Sequence, residues 1–193
     1  MFNERFGLQQ ATFDGTKTMT RRAVPDETMK DALAYQSHHI DDEKAYEKYI
    51  LDHAPYKVGE IVAVAQRYSQ LVANGYLTED GNLSLMHSEG WGNKMYVKAE
   101  LMQRHIKMTG IKVEGLAGIS DEDCLREGIK AEQMLDGRWE FYFTDKRGAC
   151  NRPTQHMFRT PYAAFKALID KLNRRGFFET NPLVFAYSYE IID

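Results

Sequence analysis

The sequence has only two cysteines, Cys124 and Cys150, and no Cys-x-x-Cys pair. That excludes a disulfide framework and a cysteine-based zinc site. No run approaches the roughly 18 apolar residues of a membrane-spanning helix. The first residues, Met1-Phe2-Asn3-Glu4-Arg5, lack a charged stretch leading into an apolar one, so no secretory leader is expected. The two thiols are therefore expected free in a reducing cytoplasm, with no membrane partner. A basic excess is also missing: 25 Lys and Arg stand against 28 Asp and Glu, a net charge of -3. The whole-molecule field of a non-specific nucleic-acid binder is thereby excluded. No Gly-rich phosphate loop of Walker or Rossmann type occurs. His38 and His39 are adjacent, and His53, His87, His105 and His156 are scattered without ligand spacing. No metal and no cofactor are expected. Internal repeats and low-complexity tracts are absent.

What is present suits one core: 193 residues, 43% of them hydrophobic. Cations are concentrated locally. Between Gly15 and Pro25 lie Lys17, Arg21 and Arg22 with no acid among them. Smaller clusters are Arg104, Lys107 and Lys112, and Lys171, Arg174 and Arg175. The segment Gly15-Thr16-Lys17-Thr18-Met19-Thr20-Arg21-Arg22 is thus the best candidate site, where cations and hydroxyls could receive an anion.

The pattern predicts a helix over 6–14, with Leu8, Ala11 and Thr12 on one face and Gly15 as a left-handed cap. Residues 26–54 read as a helical insertion too short to own a core. Pro55 to Glu60 is a turn, followed by a buried strand over 61–68. Asn74-Gly75 and Asp80-Gly81 mark an irregular or hairpin-bearing insertion over 69–104, with a short strand at 94–98. In the strand over 105–116, Ile106 and Met108 share one parity and Ile111 and Val113 the other. The change at Thr109-Gly110 predicts a β-bulge. Ser120 caps a helix with acids in its first turn, ended by Gly128. Trp139, Phe141 and Phe143 alternate as a half-buried strand. Thr160-Pro161 opens a helix with Phe165, Leu168, Ile169 and Leu172 on one stripe. Residues 183–192 form a strand apolar enough to be central. The sum is one α+β domain over 1–193: a small, curved, mostly antiparallel sheet with helices outside.

Four segments in this order resemble the ASCH domain family of the PUA-like superfamily. They are Phe13-Asp14-Gly15-Thr16-Lys17-Thr18-Met19-Thr20-Arg21-Arg22; Tyr56 to Val64; Ile111 to Glu114 with Ile119 to Cys124 and Glu127 to Ile129; and Phe165 to Asn173 with Asn181 to Phe185. They cover about half the chain and are most similar to long members from phages and prophages. Where long members carry Arg-Glu-x-Trp, this chain reads Gln66-Arg67-Tyr68-Ser69.

The resemblance implies a β-barrel-like fold with a cleft beside the Lys-Thr-x-Thr segment. It implies RNA binding or handling of a modified nucleoside. A small bacterial branch hydrolyses the amide of acetylated cytidine with a Lys, a Thr and a Glu. By resemblance the Lys is Lys17, the Thr is Thr20, and the acid is Asp121 with Glu122 beside it.

Three functions follow as expectations. The first is an RNA or nucleotide-binding module using Lys17, Thr18, Thr20, Arg21 and Arg22, with Tyr68 as a stacking ring. The second is an amidohydrolase of acylated nucleosides, with Thr20 as nucleophile, Lys17 as base and Asp121 or Glu122 as acid. Against it, Lys17 and Thr20 point to opposite faces of an extended strand. The third is a phage or mobile-element interaction protein without a small ligand, presenting the acidic insertion over 26–54. Oligomeric state is left open.

Overall fold

Helix α1 (Leu8–Phe13) stops where Gly15 takes a φ of +71°, a left-handed backbone that glycine adopts without strain. The chain then enters strand β1 (Met19–Ala23). The computed structural model describes residues 2–42, 44–77, 83–147 and 152–192. Strands β1, β2 (Ile61–Ala63), β3 (His105–Gly115) and β7 (Leu183–Ile192) form one curled antiparallel sheet in the order β1-β7-β3-β2. As the 183–192 stretch predicted, β7 is central and buried on both faces.

The bulge is where the parity change puts it. Met108 pairs with Tyr189 and Gly110 with Ser188, so Thr109 has no partner in the ladder. Ile106, Met108, Ile111 and Val113 thereby all join Phe185, Tyr187 and Tyr189 on the inner face. Helices α2 (Asp26–His38) and α3 (Ala45–Asp52) cover that face, burying Ala32 and Ile50 in the same cluster. The insertion over 26–54 is thus a wall of the core.

The other face carries α6 (Asp121–Arg126), capped by Ser120, whose Oγ accepts from Asp123 N at 3.1 Å. Helix α7 (Pro161–Leu172) starts at Thr160, whose Oγ1 accepts from Ala163 N at 3.1 Å. Its apolar stripe packs Phe165 and Leu168 with Phe143 of a second sheet. That sheet is β4 (Lys130–Gln133), β5 (Trp139–Asp145) and β6 (Thr154–Phe158), in that order. No helix among the described residues is long and apolar enough to cross a membrane.

Several expectations fail locally. The buried strand over 61–68 is a three-residue edge strand with Ile61 58% exposed. It ends early because helix α4 (Tyr68–Ala73) begins there: Gln70 Oε1 accepts from Arg67 N and closes the first turn. Residues 94–96 form a 3₁₀ turn, not a strand, with Asn93 Oδ1 accepting from Met95 N. The described part of 69–104 holds α4, the short α5 (Leu83–Met86) and 3₁₀ turns, and no strand. Asp80-Gly81 and Cys150 lie outside the described residues. Cys124 is buried, and burial pushes its thiol up to about 12, which suits packing rather than reactivity.

Candidate functional site

Lys17 precedes β1, tied down through its backbone N–H to Ala11 O. Its side chain is 2% exposed. The ammonium spends its three hydrogens on Met19 O at 2.7 Å, Glu127 O at 2.8 Å and Glu127 Oε2 at 2.6 Å. Burial lowers the Lys17 pKa from its ordinary value; the Glu127 carboxylate opposes that shift, and Arg21 and Arg22 add to it.

Strand alternation then divides the segment. Arg21, 1% exposed, turns toward α6 and β3. It donates to Glu114 Oε1 at 2.9 and 2.6 Å, to Asp123 Oδ2 at 2.8 Å and to Glu127 Oε1 at 3.1 Å. Lys112 adds contacts to Glu114 and Asp123. Burial works against the charged forms of Arg21 and Asp123, and these pairings outweigh it. The Arg21 pKa is therefore raised and that of Asp123 lowered. Arg126 closes the edge, its Nε donating to Thr18 Oγ1 at 3.3 Å. This side is a filled ion network that clamps β1 to α6.

Thr20 and Arg22 turn to the other face. They line a cavity of about 100 Å³ with Phe2, Tyr56, Val62 and Met108. Neither side chain makes a hydrogen bond among the described residues, and Arg22 Nε is buried without a partner. The Phe2 ring lies 5.9 Å from Lys17 Nζ, so the two sides of the segment meet at that ring.

The expected sets are therefore divided. Thr20 and Arg22 share a cavity. Lys17 and Arg21 are held by carboxylates, and Thr18 faces Arg126. Asp121 and Glu122 contact neither Lys17 nor Thr20: both are exposed on the first turn of α6, and Asp121 Oδ1 accepts from Tyr162 N at the start of α7. The helix geometry explains these acids. Tyr68 is not a stacking ring: it is 2% exposed, and its hydroxyl accepts from Lys98 N. Phe143 is buried as expected, whereas Trp139, at the open end of β5, is 54% exposed.

The acids that do meet the segment, Glu114, Asp123 and Glu127, were not singled out by sequence. Glu127 carried one signal. A carboxylate directly after a helix C-terminus opposes the macrodipole and calls for a cation nearby. No family model, curated protein or solved structure matches this chain.

Proposed function

We propose that the chain is an ASCH-type binding module for RNA or a nucleotide-like ligand, engaged through the inner-face cavity rather than through the whole basic segment. One observation carries this reading. Among the described residues Arg22 is a half-buried guanidinium with no hydrogen-bond partner, placed on a cavity wall with Thr20, whose hydroxyl is likewise unpaired among them. A buried donor without a partner costs about 1–3 kcal/mol, so a site that keeps one gains when an acceptor arrives. The cavity holds about 100 Å³. That is room for about three waters, or for the edge of one planar ring, but not for a nucleoside. The remainder of the ligand lies outside, over Phe2.

Titrating labelled single-stranded RNA and a mononucleotide at two salt concentrations tests the reading. Arg22→Ala is expected to weaken binding about tenfold, the value of one charge-assisted hydrogen-bond set. Unchanged affinity in that variant overturns the reading.

An amidohydrolase acting on acylated nucleosides is the second reading. Burial lowers the Lys17 pKa, the direction that a general base needs. Its cost is geometric, because the ammonium is aimed at Met19 and Glu127 rather than at Thr20. Incubation with acetylcytidine decides it: release of cytidine that stops in Lys17→Ala supports hydrolysis, and no release removes it.

A further inference from the structure

A second cavity, of about 460 Å³, lies between α1, the start of α4 and the end of β5. It shares no lining residue with the Thr20–Arg22 cavity. Its volume falls within the range of small-molecule sites.

Two features make it a built site. Gln66, 4% exposed, lines the cavity, and its side-chain oxygen is buried without a hydrogen-bond partner among the described residues. The neighbouring Arg67 has a buried Nε that is also without a partner, although its Nη2 donates to Glu4 Oε2 at 2.9 Å. An unpaired acceptor and an unpaired donor therefore belong to two consecutive residues of the wall. Buried polar groups are nearly always paired, so each calls for an explanation.

The charge of the wall supplies the second part. Arg5, Arg67, Lys146 and Arg147 line the cavity against one acid, Glu4. Arg5 is taken by Asp145, through bonds of 2.7 and 2.6 Å. The side chains of Lys146 and Arg147 have no hydrogen-bond or ion-pair partner among the described residues, and they stand at the end of the cavity formed by β5. Gln9, Gln10, Gln70 and Asn74 add further amide groups to the lining.

We infer that this cavity binds a phosphate monoester carried on a hydroxyl-rich body, the chemistry of a sugar phosphate. Lys146, Arg147 and Arg67 Nε would receive the phosphate, and Gln66 Oε1 would accept from a hydroxyl. Phosphate suits the cations because it offers several acceptor oxygens with full charge. The hydroxyl suits Gln66 because an amide oxygen needs a donor, which the ionised oxygens of a phosphate monoester do not supply.

Calorimetric titration of the full chain with ribose 5-phosphate, inorganic phosphate and ribose tests the assignment. Ribose 5-phosphate is expected to bind saturably and more tightly than either part. Lys146→Ala with Arg147→Ala, both on the surface, should weaken it about tenfold or more. Gln66→Leu should weaken ribose 5-phosphate and leave inorganic phosphate unchanged. Arg22→Ala should change nothing here, which keeps this test apart from that of the other cavity. No saturable binding, or equal affinity in the double variant with a far-ultraviolet spectrum unchanged, overturns the inference. Loss of binding in Arg22→Ala would also overturn it, by moving the ligand to the inner-face cavity.

Discussion

Lys17 and Glu127 lie 110 positions apart in the sequence, and the ammonium of one reaches the carboxylate of the other at 2.6 Å with both side chains buried. Glu127 also accepts from Arg21, so one carboxylate holds two cations of the basic segment. This arrangement removes most of the segment's charge from solvent and leaves Arg22 as its open member.

Removing that carboxylate should be costly. Glu127→Ala leaves Lys17 and the buried face of Arg21 short of an acceptor, and losing one partner of a buried ion pair costs about 3–5 kcal/mol. Urea denaturation at neutral pH measures it. A loss below about 1 kcal/mol would show that water reaches the pair and that the burial described here is wrong.

The two arginines should separate stability from binding. Arg21→Ala takes the buried cation from Glu114, Asp123 and Glu127, leaving the more exposed Lys112 beside Glu114 and Asp123, and is expected to destabilise by about 3 kcal/mol. Arg22→Ala breaks no hydrogen bond and should stay within about 1 kcal/mol of the parent while losing affinity for RNA or nucleotide. Denaturation midpoints and binding isotherms for the two variants check both halves together.

Acid should unfold the protein in two stages. His156, stacked on Phe143 with ring centroids 5.0 Å apart, has its pKa lowered, first by burial and then by Lys171. The unfolded chain therefore binds that proton more readily, and stability begins to fall as pH drops through about 6.5. Asp145 is held below the carboxylate range, first by the Arg5 hydrogen bond, and Asp123 by Arg21 and Lys112 against the effect of burial. Their contribution is complete above the unfolded value of about 3.9 and is lost as pH falls through their lower folded values. Denaturation across about pH 1.5 to 8 (about 0.5-unit steps) should show a shallow slope, then a steeper one. His156→Gln should remove the first, and Asp145→Asn should flatten the second.

Deleting residues 26–54 should abolish cooperative folding rather than trim a surface. Ala32 and Ile50 are fully buried against the sheet, and the deletion would open Phe185, Tyr187 and Tyr189 to water. Dye binding to exposed apolar surface and loss of the near-ultraviolet spectrum are the expected readouts. A cooperative transition in the shortened chain would contradict this.

Much of the fold is legible in the residues. The parity change around Thr109 locates a bulge, Thr160-Pro161 locates a helix start, and the apolar run of 183–192 locates the central strand. In each case the local pattern and the tertiary environment agree. The second sheet was legible only at β5. All four residues of β4 are exposed, so it has no buried face to write into the sequence, and the inner face of β6 is only half-buried and places the polar Thr154 and His156 beside Phe158. The site was legible as a segment but not as a division of roles. Alternation puts Arg21 and Arg22 on opposite faces, yet which face holds carboxylates depends on Glu114, Asp123 and Glu127, brought in by distant elements. Tyr68 was misplaced for a related reason: its run looks like strand until Gln70 closes a helical turn.

The unpaired Thr109 also sets a rule for change in β3. It occupies a place in the chain without a place in the ladder. Deleting it alone would leave every rung beyond it in place: Gly110 stays opposite Ser188, Ile111 opposite Tyr187 and Val113 opposite Phe185. Removing a second residue as well, with the rungs to β7 kept, would set Lys112 opposite Tyr187 and Glu114 opposite Phe185, and two charges would enter the oily side. If Ile111 and Val113 keep their oily neighbours, the rungs must slip. The supernumerary residue is thus the one point in β3 where the chain can lose a position and keep its frame, whereas a second loss shifts every partner beyond it.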